Sequence, residues 1–208
     1  MVPRGNNVSR HRSCADSSRG VEQRTCNVWR VSSSNVRRIV TTSTNGLSHV
    51  AHDDQVEPIT VSALPGYRWH RLWSFDTPTT DPPSADIQSG LPHFPPPGGL
   101  RFTLYTVPPE SAGRPQTLPP AAERELEAAL PGRAAHMESD QDGMHRTPSL
   151  DFVLVVSGEI WLELDNDEVH LREGDCIVQN GSRHAWRNKS DKPCTMAVVL
   201  VGTGATAG

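Results

Sequence analysis

The sequence predicts an all-β protein folded as an antiparallel sandwich or barrel, and three observations carry that expectation. Its last third holds six short strand-like runs separated by turn residues, at turn-to-turn spacings of about 8–12 residues. Only 35% of the 208 residues are hydrophobic, beside 18 Pro and 16 Gly, so much of the chain lies outside regular elements. One segment alone carries helix start and stop signals.

Residues 1–35 are rich in Ser, Arg and Asn, with Trp29 isolated among them and no helical or strand period. Such a segment buries too little apolar surface to offset the entropy of ordering it, so a disordered tail is expected. An Arg-rich, acid-poor start equally fits an organellar transit peptide, or an over-long start with translation beginning near Val36. These readings stay open. His11, Cys14 and Cys26 match no standard zinc spacing. With no C-x-x-C pair among the four cysteines, reduced thiols are expected.

From Val36 onward, strands are expected at 37–42, 47–51, 67–75 and 100–107. Asn45-Gly46 reads as the two-residue turn of a hairpin joining the first two. Tyr67, Trp69 and Trp73 share one strand parity, expected as core or subunit contact. Leu100, Phe102, Leu104 and Thr106 alternate on one face of the fourth strand. Proline dominates between, with 13 of the 18 lying from Pro78 to Pro131. The helix is expected over 121–130, bracketed by Pro119-Pro120 and Pro131-Gly132. Ten residues are marginal alone, so it must dock, as a cover over a sheet edge or barrel mouth.

The six C-terminal runs are 151–156, 159–164, 169–171, 176–179, 184–186 and 195–201. His145, Thr147 and Asp151 are odd-numbered and face one side if the backbone stays extended, with Val153 and Val155 continuing that side. Phe152, Leu154 and Val156 fill the other, which reads as a strand buried on both faces. A His and an Asp on such a strand need a partner, and a metal ion is one. His184, Trp186 and Asn188 likewise share a parity.

At these residues the chain resembles the cupin superfamily, in its small single-domain conserved-barrel group. The family's first motif places two His two apart, an acid three or four positions further, then a Gly seven beyond that. Here His145, Asp151 and Gly158 take those places, with Thr147 where the second His would stand. The second motif runs from a Gly-Asp turn to His and, after three intervening residues, Asn. Gly174-Asp175, His184 and Asn188 match it, with a loop one residue shorter and without its common proline. The resemblance spans residues 136–202 and implies a jelly-roll barrel with N-terminal added strands. The whole of 36–208 is then one domain: strands and Pro-rich loop at 36–135, barrel core at 136–202.

The resemblance also implies a divalent metal (Fe, Zn or Mn) on His145, Asp151 and His184. Two imidazoles and a carboxylate are the ligand types of non-haem iron and catalytic zinc sites. His136 is a candidate extra ligand, and Thr147 a partner for a bound water. Thr147, Trp186, Arg183 and Trp161 are candidate substrate contacts, although packing is the favoured reading for the two indoles. The expected function is a metal-dependent enzyme on a small molecule, dioxygenase-like or a decarboxylase- or dehydratase-type lyase. The alternative is a non-catalytic barrel that binds a small molecule without metal.

Charge and hydropathy narrow the partners. Residues 1–50 carry eight Arg against Asp16 and Glu22, a balance of +6, leaving −10 on the rest of a chain at −4. An acidic body without a reader helix argues against nucleic acid. No apolar run approaches the roughly 18–20 residues of a membrane helix, and the N-terminus lacks the apolar centre of a secretory signal. Cytoplasmic location is expected, organellar if 1–35 is a transit peptide. A homodimer is expected by analogy with the family.

Overall fold

The computed structural model describes residues 35–78, 90–113, 118–138 and 143–204. The readings made for residues 1–34, including His11, Cys14, Cys26 and Trp29, lie outside them. Ten strands and one α-helix follow in chain order among the described residues: β1 (Val36–Thr44), β2 (Leu47–Val56), β3 (Arg68–Phe75), β4 (Leu100–Val107), α1 (Pro120–Ala129), β5 (Ser149–Ser157), β6 (Glu159–Glu163), β7 (Glu168–Arg172), β8 (Cys176–Asn180), β9 (Ala185–Arg187) and β10 (Cys194–Gly202). Among the described residues no helix is long and apolar enough to cross a membrane.

A five-stranded antiparallel sheet, ordered β3-β4-β10-β5-β8, and a three-stranded sheet, β7-β6-β9, build the jelly-roll barrel. Between them lies a core of Val107, Val153, Val155, Ile160, Leu162, Leu171, Cys194 and Met196. Each such side chain contributes about 1.5–3 kcal/mol when fully buried. The β5–β6 turn is a single residue, Gly158, at φ 80°. A Cβ there would lie 2.7 Å from the Pro193 carbonyl oxygen, so the turn needs both the left-handed backbone and the missing side chain.

The β1–β2 hairpin forms a separate two-stranded sheet, turned by Asn45 and Gly46 at φ 52° and 79°, as the Asn-Gly pair predicts. Arg38, 8% exposed, ties it to β3: its guanidinium pairs with Asp54 and donates to the Leu72 carbonyl at 3.2 Å. Helix α1 starts after Pro119 and is followed by Gly132 at φ 76°. Its Leu126, with Leu130, packs on Val61, Leu64 and Trp69. It therefore docks behind β3, and none of its residues lines the interior cavity.

The expected faces of β5 and β3 need correction. β5 is not buried on both sides: Asp151, Val153 and Val155 point inward, but Phe152 and Leu154 are 44% and 41% exposed. Pairing with β10 and β8 satisfies its edges, and only the face carrying Val153 and Val155 packs on the core; nothing of the described chain covers the other. On β4, Thr103 and Tyr105 line the cavity, so the apolar row of Phe102 and Leu104 is turned away from it. A register shift between Arg71 and Trp73 also breaks the expected face of β3. Tyr67 and Trp69 line the cavity, whereas Trp73 lies beside the β1 segment from Arg37 to Thr41.

Candidate functional site

The interior cavity is set by two cross-strand pairs. Just before β5, His145 exchanges both backbone hydrogen bonds with His184, each N···O distance being 3.0 Å. Residues directly opposed in an antiparallel pair carry their side chains on the same face. The two imidazoles accordingly lie side by side, ring centroids 4.2 Å apart. Further along the same strands, Asp151 on β5 faces Gln179 on β8. The first sequence motif thus runs antiparallel to the second, and each contributes one member of both pairs.

Both imidazoles are fixed in one tautomer. Nδ1 of His145 is 2.9 Å from the Gly143 carbonyl oxygen, and Nδ1 of His184 is 2.8 Å from that of Ser182. A carbonyl only accepts, so each Nδ1 carries the hydrogen and each Nε2 keeps a free lone pair. Burial, followed by the neighbouring His184 ring, lowers the His145 pKa to about 3. Burial lowers that of His184 too, against the opposing effect of its Ser182 bond. Both rings are therefore neutral at physiological pH.

Asp151 is 4% exposed, and burial raises its pKa to about 6, opposed by a hydrogen bond from Ser149. Ser149 Oγ lies 2.6 Å from Asp151 Oδ1 and 2.9 Å from Thr147 Oγ1. The serine has a single hydrogen. With it given to the carboxylate, the Thr147 hydroxyl supplies the other bond, and a Thr147–Ser149–Asp151 relay results.

The other wall is aromatic. Trp69 stacks on Tyr105 with centroids 5.2 Å apart and planes 15° apart, and Tyr67 stacks on both. Trp186 stands edge-on to His184 at 5.9 Å. The Pro-rich segment closes the remaining side with His93 and Phe94. Arg101, 1% exposed, anchors it by donating to the Pro92, Phe75 and Leu100 carbonyls, each at 2.9 Å. The His93 backbone N–H donates to Pro131 at 2.7 Å. Burial, then Arg133, holds the His93 imidazole well below its ordinary pKa. The cavity has a volume of about 90 Å³, against roughly 10–15 Å³ needed by one water. That is room for several waters, or for part of a small ligand.

Of the residues expected from sequence, His145, His184, Asp151, Thr147 and Trp186 line this cavity. Three do not. Arg183 is held by Glu138 and Asp165, which raise its pKa, and it is not part of the cavity lining. Trp161 stacks on His170, centroids 4.1 Å apart, because its neighbours Ile160 and Leu162 take the inward positions of β6. His136 packs edge-on against Phe94 at 4.7 Å, outside the lining. Asn188 is structural: its amide nitrogen donates to the Val107 and Lys192 carbonyls. Among the described residues no three His, Cys, Asp or Glu side chains gather as a metal-binding group. Two imidazoles meet, and Asp151 lines the same cavity without joining them.

Gln179, Tyr105, His93 and Arg133 also line the cavity and were not expected there. The parity of β8 would have shown Gln179, since it shares a face with Ile177, which packs against the core. His93 lies in a proline run with no periodicity to read. Gln179 is 4% exposed, and among the described residues neither its Nε2 nor its Oε1 has a hydrogen-bond partner. An unpaired buried polar group costs about 1–3 kcal/mol.

The family model described as a cupin domain matches residues 135–201, from just before the first motif into β10. A protein named phomopsin biosynthesis cluster protein C', from Diaporthe leptostromiformis, is 52% identical over 48 residues. That alignment covers 23% of this chain and 25% of the relative. A cupin-domain-containing oxidoreductase, virC, from Hypocrea virens, is 48% identical over 46 residues, 22% of this chain and 24% of the relative. The chain therefore spans about a quarter of the length of these two relatives. A solved conserved-barrel domain protein from Salinispora arenicola is 16% identical, with a TM-score of 0.36, over 68% of this chain and 81% of that one.

Proposed function

We propose that this chain, a member of the cupin superfamily, is an enzyme that acts on a small molecule in the cavity with the help of a divalent metal on His145 and His184. One observation carries the reading. Two neutral imidazoles lie side by side, each with Nδ1–H committed to a backbone carbonyl and Nε2 free. That is how proteins present histidines to metals, the second nitrogen fixing ring and tautomer. The donor chemistry fits iron, zinc or manganese, with Asp151 the carboxylate of the same cavity. A metal so held supplies Lewis acidity and, as iron, redox chemistry.

The chain's own residues do the rest. Asp151, near neutrality and oriented by Ser149, accepts or returns a proton at Oδ2, the oxygen that Ser149 leaves free. The stacked aromatic wall positions a flat apolar body, and the segment anchored by Arg101 excludes water. Relatives named as cupin-domain oxidoreductases favour redox chemistry over a lyase reaction.

The test is metal content of the purified protein by plasma mass spectrometry, beside a His145→Ala/His184→Ala variant. Near-stoichiometric metal in the parent, lost in the variant, is expected. A parent that stays empty after reconstitution with Fe(II), Zn(II) and Mn(II) refutes the metal reading. The metal-free binding barrel would then stand, and the hold of Ser149 on Asp151, apart from the imidazole pair, already favours it as the second reading.

A further inference from the structure

Among the described residues lining the cavity, Gln179 is the one whose side chain has fully buried polar atoms without a hydrogen-bond partner. Asp151 has Ser149, Thr147 has Ser149, and both imidazoles have backbone carbonyls. The Gln179 amide is buried with donor and acceptor both unpaired. Its strand neighbour on the same face is Ile177, and that position faces Val153, so an aliphatic residue would suit this wall without leaving an unpaired amide.

Its chemistry specifies what would satisfy it. A carboxamide holds an N–H beside a carbonyl oxygen in one plane, so its complement is an acceptor beside a donor, also in one plane. A cis-amide edge, found in a lactam or a primary carboxamide, meets both atoms with two parallel hydrogen bonds. Asp151 lies directly across the strands and disfavours an anionic head group. The flanking wall of Tyr67, Trp69, Tyr105 and Trp186 fits a planar aromatic body.

We propose that Gln179 determines specificity in this cavity by reading the cis-amide edge of a neutral aromatic lactam or carboxamide. The inference rests on the reading of the cavity as a small-molecule site. It concerns a residue that the metal reading does not use.

The experiment is calorimetric titration of the purified full chain with isoquinolin-1(2H)-one, its N-methyl derivative and 1-naphthoate. The parent protein, Gln179→Leu and the near-isosteric Gln179→Met are compared, with the metal content of each sample measured alongside. The parent is expected to bind the free lactam about tenfold or more tightly than the N-methyl form, which lacks the donor. Both variants should bind the two lactams equally, through the aromatic wall, with metal content unchanged. If one variant fails to fold, the other carries the comparison. Equal lactam affinities in the parent, no lactam binding, tighter binding of 1-naphthoate, or a preference that survives in the variants would each overturn the proposal. So would loss of metal from Gln179→Met, which would make the amide part of the metal site. Metal retained without lactam discrimination refutes this inference alone; discrimination in a protein that takes up no metal refutes the metal reading alone.

Discussion

Asp151 is a buried carboxylate held at a cost, and replacing it by Asn should stabilise the metal-free protein in a pH-dependent way. Its folded pKa is raised from 3.8 to about 6. A raised carboxyl pKa means that the fold prefers the protonated form. The unfolded chain ionises near pH 4 and the folded one only near pH 6, so stability falls as pH rises through that window and then levels off. A shift of about two units at 1.36 kcal/mol each gives about 3 kcal/mol at pH 8 and about 1 kcal/mol at pH 4.5. Asn keeps the shape and can still accept the Ser149 hydroxyl, so Asp151→Asn should gain those amounts. His145 works in the opposite sense, its lowered pKa removing stability as pH falls from 6.5 toward 3. Both proteins share that loss, and it cancels in the difference. The assay is urea unfolding of chelator-treated protein between pH 4.5 and 8. A gain below about 1 kcal/mol at pH 8, or one that does not change with pH, would refute the reasoning. Re-adding metal should favour the parent if Asp151 completes the metal site.

Further outcomes follow from single contacts. Gly158→Ala places a side chain at φ 80° against the Pro193 backbone, and should cost about 2–3 kcal/mol in urea unfolding. Arg101→Met leaves the Pro92 and Phe75 carbonyls without their donor; a loss of about 2–4 kcal/mol is expected, with faster hydrogen exchange in residues 90–98 by mass spectrometry. Phe152, Leu154 and Val178, 44%, 41% and 58% exposed, form an open apolar face on the five-stranded sheet, and Ile39, Leu47 and Val50 leave another on the hairpin. A second copy of the chain is proposed to cover them. The protein should sediment as a dimer and Phe152→Glu/Val178→Glu as a monomer, whereas a monomeric parent would remove the proposal.

How far the site was legible follows from where its residues sit in their strands. His145, Asp151 and His184 were found because strand parity and motif spacing are local properties, and each residue lies in or beside a regular strand. The same parity rule reaches Gln179, which a search for ionisable ligands passes over because an amide carries no charge. Parity says which residues share a face but not which face meets the core. Phe102 and Leu104 turn outward while Thr103 and Tyr105 line the cavity, because β4 pairs with β10 in a register that sets Thr103 beside Val198, itself part of the cavity lining. Arg183 and His136 each depended on a partner distant in sequence, and Trp161 on which face of β6 meets the core. A guanidinium beside a barrel mouth looks free until Glu138, 45 residues away, is found to hold it.

The polar end of the cavity is more costly than a fold needs. Asp151, Gln179, His145 and His184 occupy inward positions next to Val153, Val155 and Ile177, where aliphatic residues pack without penalty. Stability alone would not retain a carboxylate that ionises against burial and an amide with no partner. Hydrogen bonds orient three of the four side chains, and each still leaves at least one atom facing the cavity without a protein partner. Side chains held in place but not saturated are what binding and catalysis require, because the remaining bond is kept for the ligand. The stability deficit and the function therefore reside in the same atoms. If Asp151→Asn and Gln179→Met both stabilise the empty protein while losing metal retention and lactam discrimination respectively, the two measurements together show that the cost supports function.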